Sequence, residues 1–359
     1  MTTAASSPPA ARSLPLAGLH RRLGATLAAQ GDGPAVPVDY GSVADEYAAL
    51  REGVGLADRS AAGRLELLGA DRHRFLNAYL TCDVKALAPG QGAYGFVTSP
   101  QGRILADAVV LVHDDRLWVE LPPGTEAAIA AHLRKYVLAD RVEIRTLDDM
   151  LPITLIGPRA VEALGGVELP AAPLGHAKVR VHGTEVALAR TERFGAPAFT
   201  LWVSASIAGL LVEALLEQGA RPVGTTAPET RRVEAGIPRF GHEFGPQNFP
   251  QETGDEAAVS YTKGCYLGQE VVARIHYRGG VQKGLRGLLF EPAALPAAGT
   301  SLLADGREAG TIGTTVQSIA LGRPIGLAIL HKRACEPGTR LEIAGGGTAE
   351  VTALPFVPA

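Results

Sequence analysis

The sequence predicts an α+β fold: two related α+β modules followed by a C-terminal antiparallel β-barrel. Three observations carry that expectation. A strand–glycine–helix unit occurs twice, in "RLELLGADRHRFLNAYLTCD" and again in "LPITLIGPRAVEALGG". Each copy runs on into a hairpin and a longer helix, a pattern of α+β units rather than of a doubly wound parallel sheet. From about residue 281 the chain breaks into short strands at small intervals, the spacing of a small barrel or sandwich. The expected division is a flexible leader over 1–13, the paired modules over 14–280 and the barrel over 281–359.

The leader reads "MTTAASSPP", and residues 1–30 hold Arg12, Arg21 and Arg22 with no acid, a composition shared with transit peptides. Leu16, Leu19, Leu23 and Leu27 recur at spacings of three and four, which favours the apolar face of an ordinary first helix. In the first module Asp71 is placed to cap a helix whose face carries Phe75, Leu76, Tyr79 and Leu80. "GRILADAVVLVHDDRLWVEL" gives two strands about an Asp-Asp turn, and Thr125 then opens a helix with Ile129, Leu133, Tyr136 and Val137. In the second module the strand 152–156 precedes Gly157-Pro158. "FTLWVS" follows as a further strand, with Ser204 capping a helix that ends at Gly219. Residues 241–262 are polar and rich in Gly, Pro and Gln, and read as a long surface loop. In the last part Asp305-Gly306 is a hairpin turn of the favoured type.

Composition narrows the function. The net charge is −3, charged residues of both signs make up 20% and aromatics 5%. Neither a basic footprint nor stacking platforms for nucleic acid are indicated, so no direct nucleic-acid partner is expected. No apolar run reaches the roughly 20 residues of a membrane span. Cys82, Cys265 and Cys335 are far apart and form no CxxC pair. A disulfide framework, a zinc site and a self-held iron–sulfur cluster are therefore not expected, and a reducing, cytoplasmic setting is.

The residues that could carry chemistry lie in three stretches. "TKGCYLGQEVVAR" places Cys265 two residues after Lys263 and between Gly264 and Gly268. A nearby cation favours thiolate, and a glycine turn favours access, against the alternative of a small buried hydrophobe. In "RRVEAGIPRFG", Glu234 sits in the last turn of a helix closed by Gly236, the unfavourable end of the dipole for a carboxylate. It needs compensation, either from a paired donor such as an amidine or from Arg231 or Arg232. In "GAYGFVTSPQGRILAD", Tyr94 alternates with small residues, and Asp107 lies within an apolar strand. Asp107 is then either a hydrogen-bonded structural acid or a ligand contact. No Ser-His-Asp order, HExxH or histidine cluster appears, and His276 reads as a surface residue.

"KGCYLGQEVVAR" resembles the signature of the YgfZ branch of the YgfZ/GcvT folate-binding family. The octapeptide Lys263, Gly264, Cys265, Tyr266, Leu267, Gly268, Gln269 and Glu270 is the most specific part of it. "LPLAGLH", "VPVDYGSVADEY", the first module, "GAYGFVTSPQGRILAD", "RRVEAGIPRFG", "NFPQE" and the closing "LPF" follow in the family's order, covering nearly the whole chain. The resemblance implies a ring of three subdomains around a channel that binds tetrahydrofolate, or a one-carbon derivative. Glu234 would take the pterin, Tyr94 and Asp107 would line its pocket, and Arg274 would meet the glutamate tail. Cys265, with Lys263, would be the reactive group. The glycine-cleavage aminomethyltransferase carries two adjacent acids where this chain reads Ala106-Asp107. The resemblance therefore implies an auxiliary factor, a monomer partnering iron–sulfur enzymes or cluster-assembly proteins and supporting cluster-dependent tRNA modification. The alternatives are a folate-dependent one-carbon transferase with Asp107 as its acid, and a tRNA-binding module.

Overall fold

The computed structural model describes residues 14–29, 33–292 and 295–358, and the expected leader lies outside them. The first module is a five-stranded antiparallel sheet. Its spatial order is Gly92–Thr98, Ile104–Val112, Arg116–Leu121, Gly63–Leu68 and Glu143–Thr146. The second sheet runs His176–Val181, Thr184–Thr191, Ala198–Ser204 and Met150–Ile156, then Gly55–Asp58 and Arg221–Pro222. The two share one plan. A strand leads through a helix to a three-stranded meander, and a second helix returns the chain to the far edge. The second sheet differs by one insertion. Gly55–Asp58, which precedes the first module in sequence, pairs antiparallel with Met150–Ile156 and parallel with Arg221–Pro222.

Each sheet buries one face under its own helices. Leu65, Leu67, Val110, Leu117 and Val119 pack on Phe75, Leu76, Ile129 and Leu133 in the first module. In the second, Ile153, Leu155, Leu188 and Leu201 pack on Leu211 and Leu215. The remaining faces meet each other: Leu111 and Trp118 pack against Ala187, Ala189 and Trp202, the indole centroids 5.5 Å apart.

The six strands from Lys283 to Thr352 close into a barrel in the order Lys283–Phe290, Arg323–His331, Arg307–Ser318, Ser301–Ala304, Arg340–Ile343 and Thr348–Thr352. Asp305 and Gly306 both have positive φ, 50° and 69°, the twist a tight hairpin demands. One 3₁₀ turn, Lys332–Ala334, is the helical element of the barrel among the described residues. The barrel meets the first module through Phe96, Ile104, Phe244, Ile325 and Leu327. Among the described residues, no helix is long and apolar enough to cross a membrane.

Local expectations fail where a tertiary partner competes. Helix Ala17–Arg22 stops before Gly24, so Leu27 lies on the strand Thr26–Ala29 instead of extending the helical face. Asp71 stands at the start of Arg72–Asn77, but its carboxylate accepts from the Arg141 backbone N–H rather than capping. The Thr125 hydroxyl donates back to the Pro122 carbonyl. Ser204 ends its strand, and the following helix begins at Ala208.

Candidate functional site

Alternation along Ile104–Val112 decides where Asp107 points. Ala106, Ala108, Val110 and Val112 enter the core of the first module, so Asp107 faces the opposite side. On the neighbouring strand the Tyr94 hydroxyl donates to Asp107 Oδ2 at 2.9 Å. The Arg193 guanidinium lies 3.8 Å from the Tyr94 ring centroid, a cation–π contact. Arg193 comes from the turn that joins Thr184–Thr191 to Ala198–Ser204 in the second module. It donates to Asp255 Oδ2 and to the Pro238 carbonyl, each at 3.3 Å. Burial raises the Asp107 pKa, while the Arg193 charge and the Tyr94 hydrogen bond act against the rise. Burial likewise puts the Tyr94 phenol well above its ordinary value.

This cluster stands in a cavity of about 760 Å³ between the two hairpins, within the range of ligand pockets. Trp202 and Phe194 supply apolar wall, and Glu120, Arg59 and Glu229 supply charge. Glu120 pairs with Arg59, and Glu229 pairs with Arg232 at 2.7 Å and Arg239 at 3.2 Å. A second cavity of about 1140 Å³ lies against the barrel and the 241–262 segment. Tyr94, Leu174, Arg193, Ile237 and Pro238 line both, so the two cavities share one wall.

Tyr94 and Asp107 are thus brought together as the sequence predicts. Glu234 is not. Its helix, Thr226–Glu234, ends where expected, but the carboxylate is fully buried away from both cavities. Tyr47 and Ser318 donate to it at 2.6 Å each, Ala320 N–H at 3.2 Å, and Arg231 stands 3.5 Å away. The Phe356 and Val357 N–H groups take the Glu234 carbonyl. Protein donors therefore compensate the unfavourable helix end, and Glu234 ties the modules to the barrel.

Arg274 is also misplaced as a tail receptor. It is exposed on the short helix Gln269–Arg274, pairs with Glu270 at 3.0 Å and lines neither cavity. Lys263 does not serve the thiol of Cys265. Its ammonium is buried and donates to the carbonyls of Asn77, Leu80 and Cys82 at 2.6, 2.6 and 2.7 Å, which uses all three of its protons. Burial lowers its pKa to about 8. Cys265 is exposed and lines neither cavity.

The rest of the signature packs. Gly268 has φ +84°, and a Cβ there would lie 2.4 Å from the Ser99 carbonyl oxygen. Tyr266 is buried in the apolar cluster beneath the barrel, Gln269 begins the short helix, and Gly264 is open to solvent. Cys82 and Cys335 are buried, and burial pushes the Cys82 thiol up to about 11.

Arg193, Arg59, Glu120 and Glu229 escaped the sequence reading. Glu120 had a signal: it follows Trp118 by two residues on an apolar strand, and so shares its face. Arg193 had none, because its partners come from 94, 238 and 255.

Two family models match the chain: the GCVT N-terminal domain over residues 16–263 and the glycine cleavage T-protein C-terminal barrel domain over 283–358. An aminomethyltransferase of Saccharopolyspora erythraea is 30% identical over 362 residues, covering 96% of this chain and 98% of that protein. One of Symbiobacterium thermophilum is 33% identical over 368 residues, covering 95% and 96%. The crystal structure of glycine cleavage system aminomethyltransferase T from Bartonella henselae superposes with a TM-score of 0.88 at 23% identity, covering 96% of this chain and 98% of that one. That likeness shows the fold: two α+β modules and a closed barrel. The chain belongs to the glycine cleavage T-protein family of folate-binding proteins.

Proposed function

We propose that the protein is a tetrahydrofolate-dependent one-carbon transferase of the aminomethyltransferase type, with Asp107 moving the proton. Residues 14–280 would form the folate-binding part and 281–359 the barrel that closes it, in a cytoplasmic monomer. The observation that carries the reading is Asp107 itself. It is the cavity carboxylate whose hydrogen bond comes from a neutral phenol, whereas Glu120 and Glu229 are committed to arginines. A cavity of about 760 Å³ has room for a reduced pterin and its benzoyl arm.

As the folate nitrogen takes the carbon it must give up a proton, and the amine that departs must gain one. A carboxyl whose pKa burial raises is better placed to do both than an ordinary one. Ala106 lies in the core on the opposite face of the strand, so its lack of a carboxylate leaves the acids of the cavity unchanged. The relatives' name, aminomethyltransferase, supports the same reading. The test is calorimetry with tetrahydrofolate beside an aminomethyl-transfer assay. Binding with transfer lost in Asp107→Asn is expected; full transfer by that variant would refute the role.

A second reading keeps the YgfZ branch: an auxiliary factor for iron–sulfur enzymes and cluster-dependent tRNA modification. The observation in its favour is the Lys-Gly-Cys segment with Cys265 at the surface. A deletion strain, complemented by wild type and by Cys265→Ala, decides it. Undiminished cluster-enzyme activities in the deletion strain would remove this reading, and full rescue by Cys265→Ala would remove the thiol from it.

A further inference from the structure

We infer that Arg193 is the positioning residue of the cavity: it holds the Tyr94 hydroxyl on Asp107 and keeps that carboxyl ionisable inside the protein. This rests on the transferase reading for its purpose, but not for its physics.

Three elements converge on the one guanidinium. Tyr94, from the first module, offers its ring face at 3.8 Å. Asp255 and Pro238, from the segment after helix Thr226–Glu234, take its N–H groups. A planar cation gripped on its edge by two oxygens and on its face by a ring cannot turn without losing all three contacts. The ring it presses on can then present its hydroxyl in one direction, to Asp107 Oδ2. Arg193 and Tyr94 are also two of the five residues in the wall between the cavities, so the clamp is part of that partition.

The charge of Arg193 has a separate effect. Burial favours the neutral form of Asp107, and charged groups act on it from several sides. Arg193 and, more weakly, Arg239 favour the carboxylate; Glu120 opposes it, and Tyr94 donates to it. Glu120 is itself paired with Arg59, and Asp255 takes part of the Arg193 charge. The balance at Asp107 therefore turns on Arg193.

The experiment is a titration of the ligand-free full chain carrying ¹³C at aspartate Cγ, with the Asp107 resonance identified by its loss in Asp107→Asn. In Arg193→Met the Asp107 midpoint should rise by about one unit or more, the size of an opposite charge removed at close range. In Asp255→Asn the Arg193 charge is no longer shared, and the midpoint should fall. Arg193→Lys should keep the midpoint near wild type but lose part of the transfer rate, since an ammonium lacks the planar grip. An unmoved midpoint in Arg193→Met, with circular dichroism of a folded protein, would overturn the inference. So would equal shifts in Arg193→Lys and Arg193→Met. Should Arg193→Met fail to fold, a midpoint in Asp255→Asn that stays put or rises would also overturn it. If the midpoints move as stated while no variant or wild type transfers carbon, the clamp stands and the transferase reading fails.

Discussion

The two hairpins that enclose the cavity occupy equivalent places in their sheets yet present opposite chemistry. Each carries an indole, and from the indoles their registers run in opposite senses relative to the turn. Leu111 pairs with Trp118 in the first, and Ala187 pairs with Trp202 in the second. Two residues on, Val109 pairs with Glu120, and Ala189 with Thr200. Two further, Asp107 lies away from the turn of its hairpin, whereas Thr191 lies beside the turn of its own. The indoles meet in both halves of this face, and beyond them one module brings two carboxyls and the other two hydroxyls. Thr200 is also spent on Thr154, at 2.9 Å. Two hairpins of one plan thus each bring an indole to the seam and divide the chemistry beside it. The second module contributes its charge from a turn, through Arg193.

That division can be broken at Asp107. Asp107→Asn should lower the transfer rate by roughly 10²–10⁴-fold, the range for one acid–base group, with tetrahydrofolate affinity changed little. Thr191→Val, on the cavity side of the second hairpin, should change the rate by less than about threefold. Equal losses in steady-state assays of the two would mean that the cavity acts through shape and not through its acid.

Glu234→Gln sharpens the contrast between an acid in the cavity and an acid in a knot. The new amide sets donor against donor at Tyr47, Ser318 or Ala320, and should cost about 2 kcal/mol of stability in urea unfolding. Calorimetric affinity for tetrahydrofolate should stay within about twofold of wild type. Weakened binding in a fully stable variant would return Glu234 to the site.

The first hairpin also meets the edge strand of the second sheet at His113 and His176, whose rings are 4.6 Å apart. Burial, then the His176, Lys178 and Arg116 charges, holds the His113 pKa at about 4, with Asp115 acting the other way. In the unfolded chain it is near 6.5. The unfolded state thus takes up a proton first, and stability should fall as pH drops from about 6.5 to about 4. His113→Phe should flatten that slope in denaturation midpoints measured across this window. A slope equal to wild type would assign the acid sensitivity elsewhere.

The smallest effect belongs to the surface. Cys265→Ser should change stability by less than about 0.5 kcal/mol. Iodoacetamide should label Cys265 in the folded protein, and Cys82 and Cys335 after unfolding. Labelling of all three at one rate would contradict their burial.

Much of the scaffold was legible because it depends on local pattern. Asp305-Gly306 specified its turn, and the repeated strand–glycine–helix unit announced two modules. Several residue roles were not legible, because they depend on what lies opposite. Glu234 reads in sequence as a carboxylate wanting donors, and only the fold supplies Tyr47 and Ser318 from 187 and 84 residues away. Lys263 lies two residues from Cys265, yet its ammonium turns to carbonyls some 180 residues earlier. Gly55–Asp58 reads as a neighbour of the first module but completes the second sheet.

By itself, the sequence determined most of the elements, the module order and the barrel, since each follows from spacing along one strand or turn. The tertiary structure decided which charges face the cavity, which are tied into knots and which point outward. Hydrogen bonds and ion pairs act over about 3 Å, and which groups come that close is set by how the sheets and barrel pack.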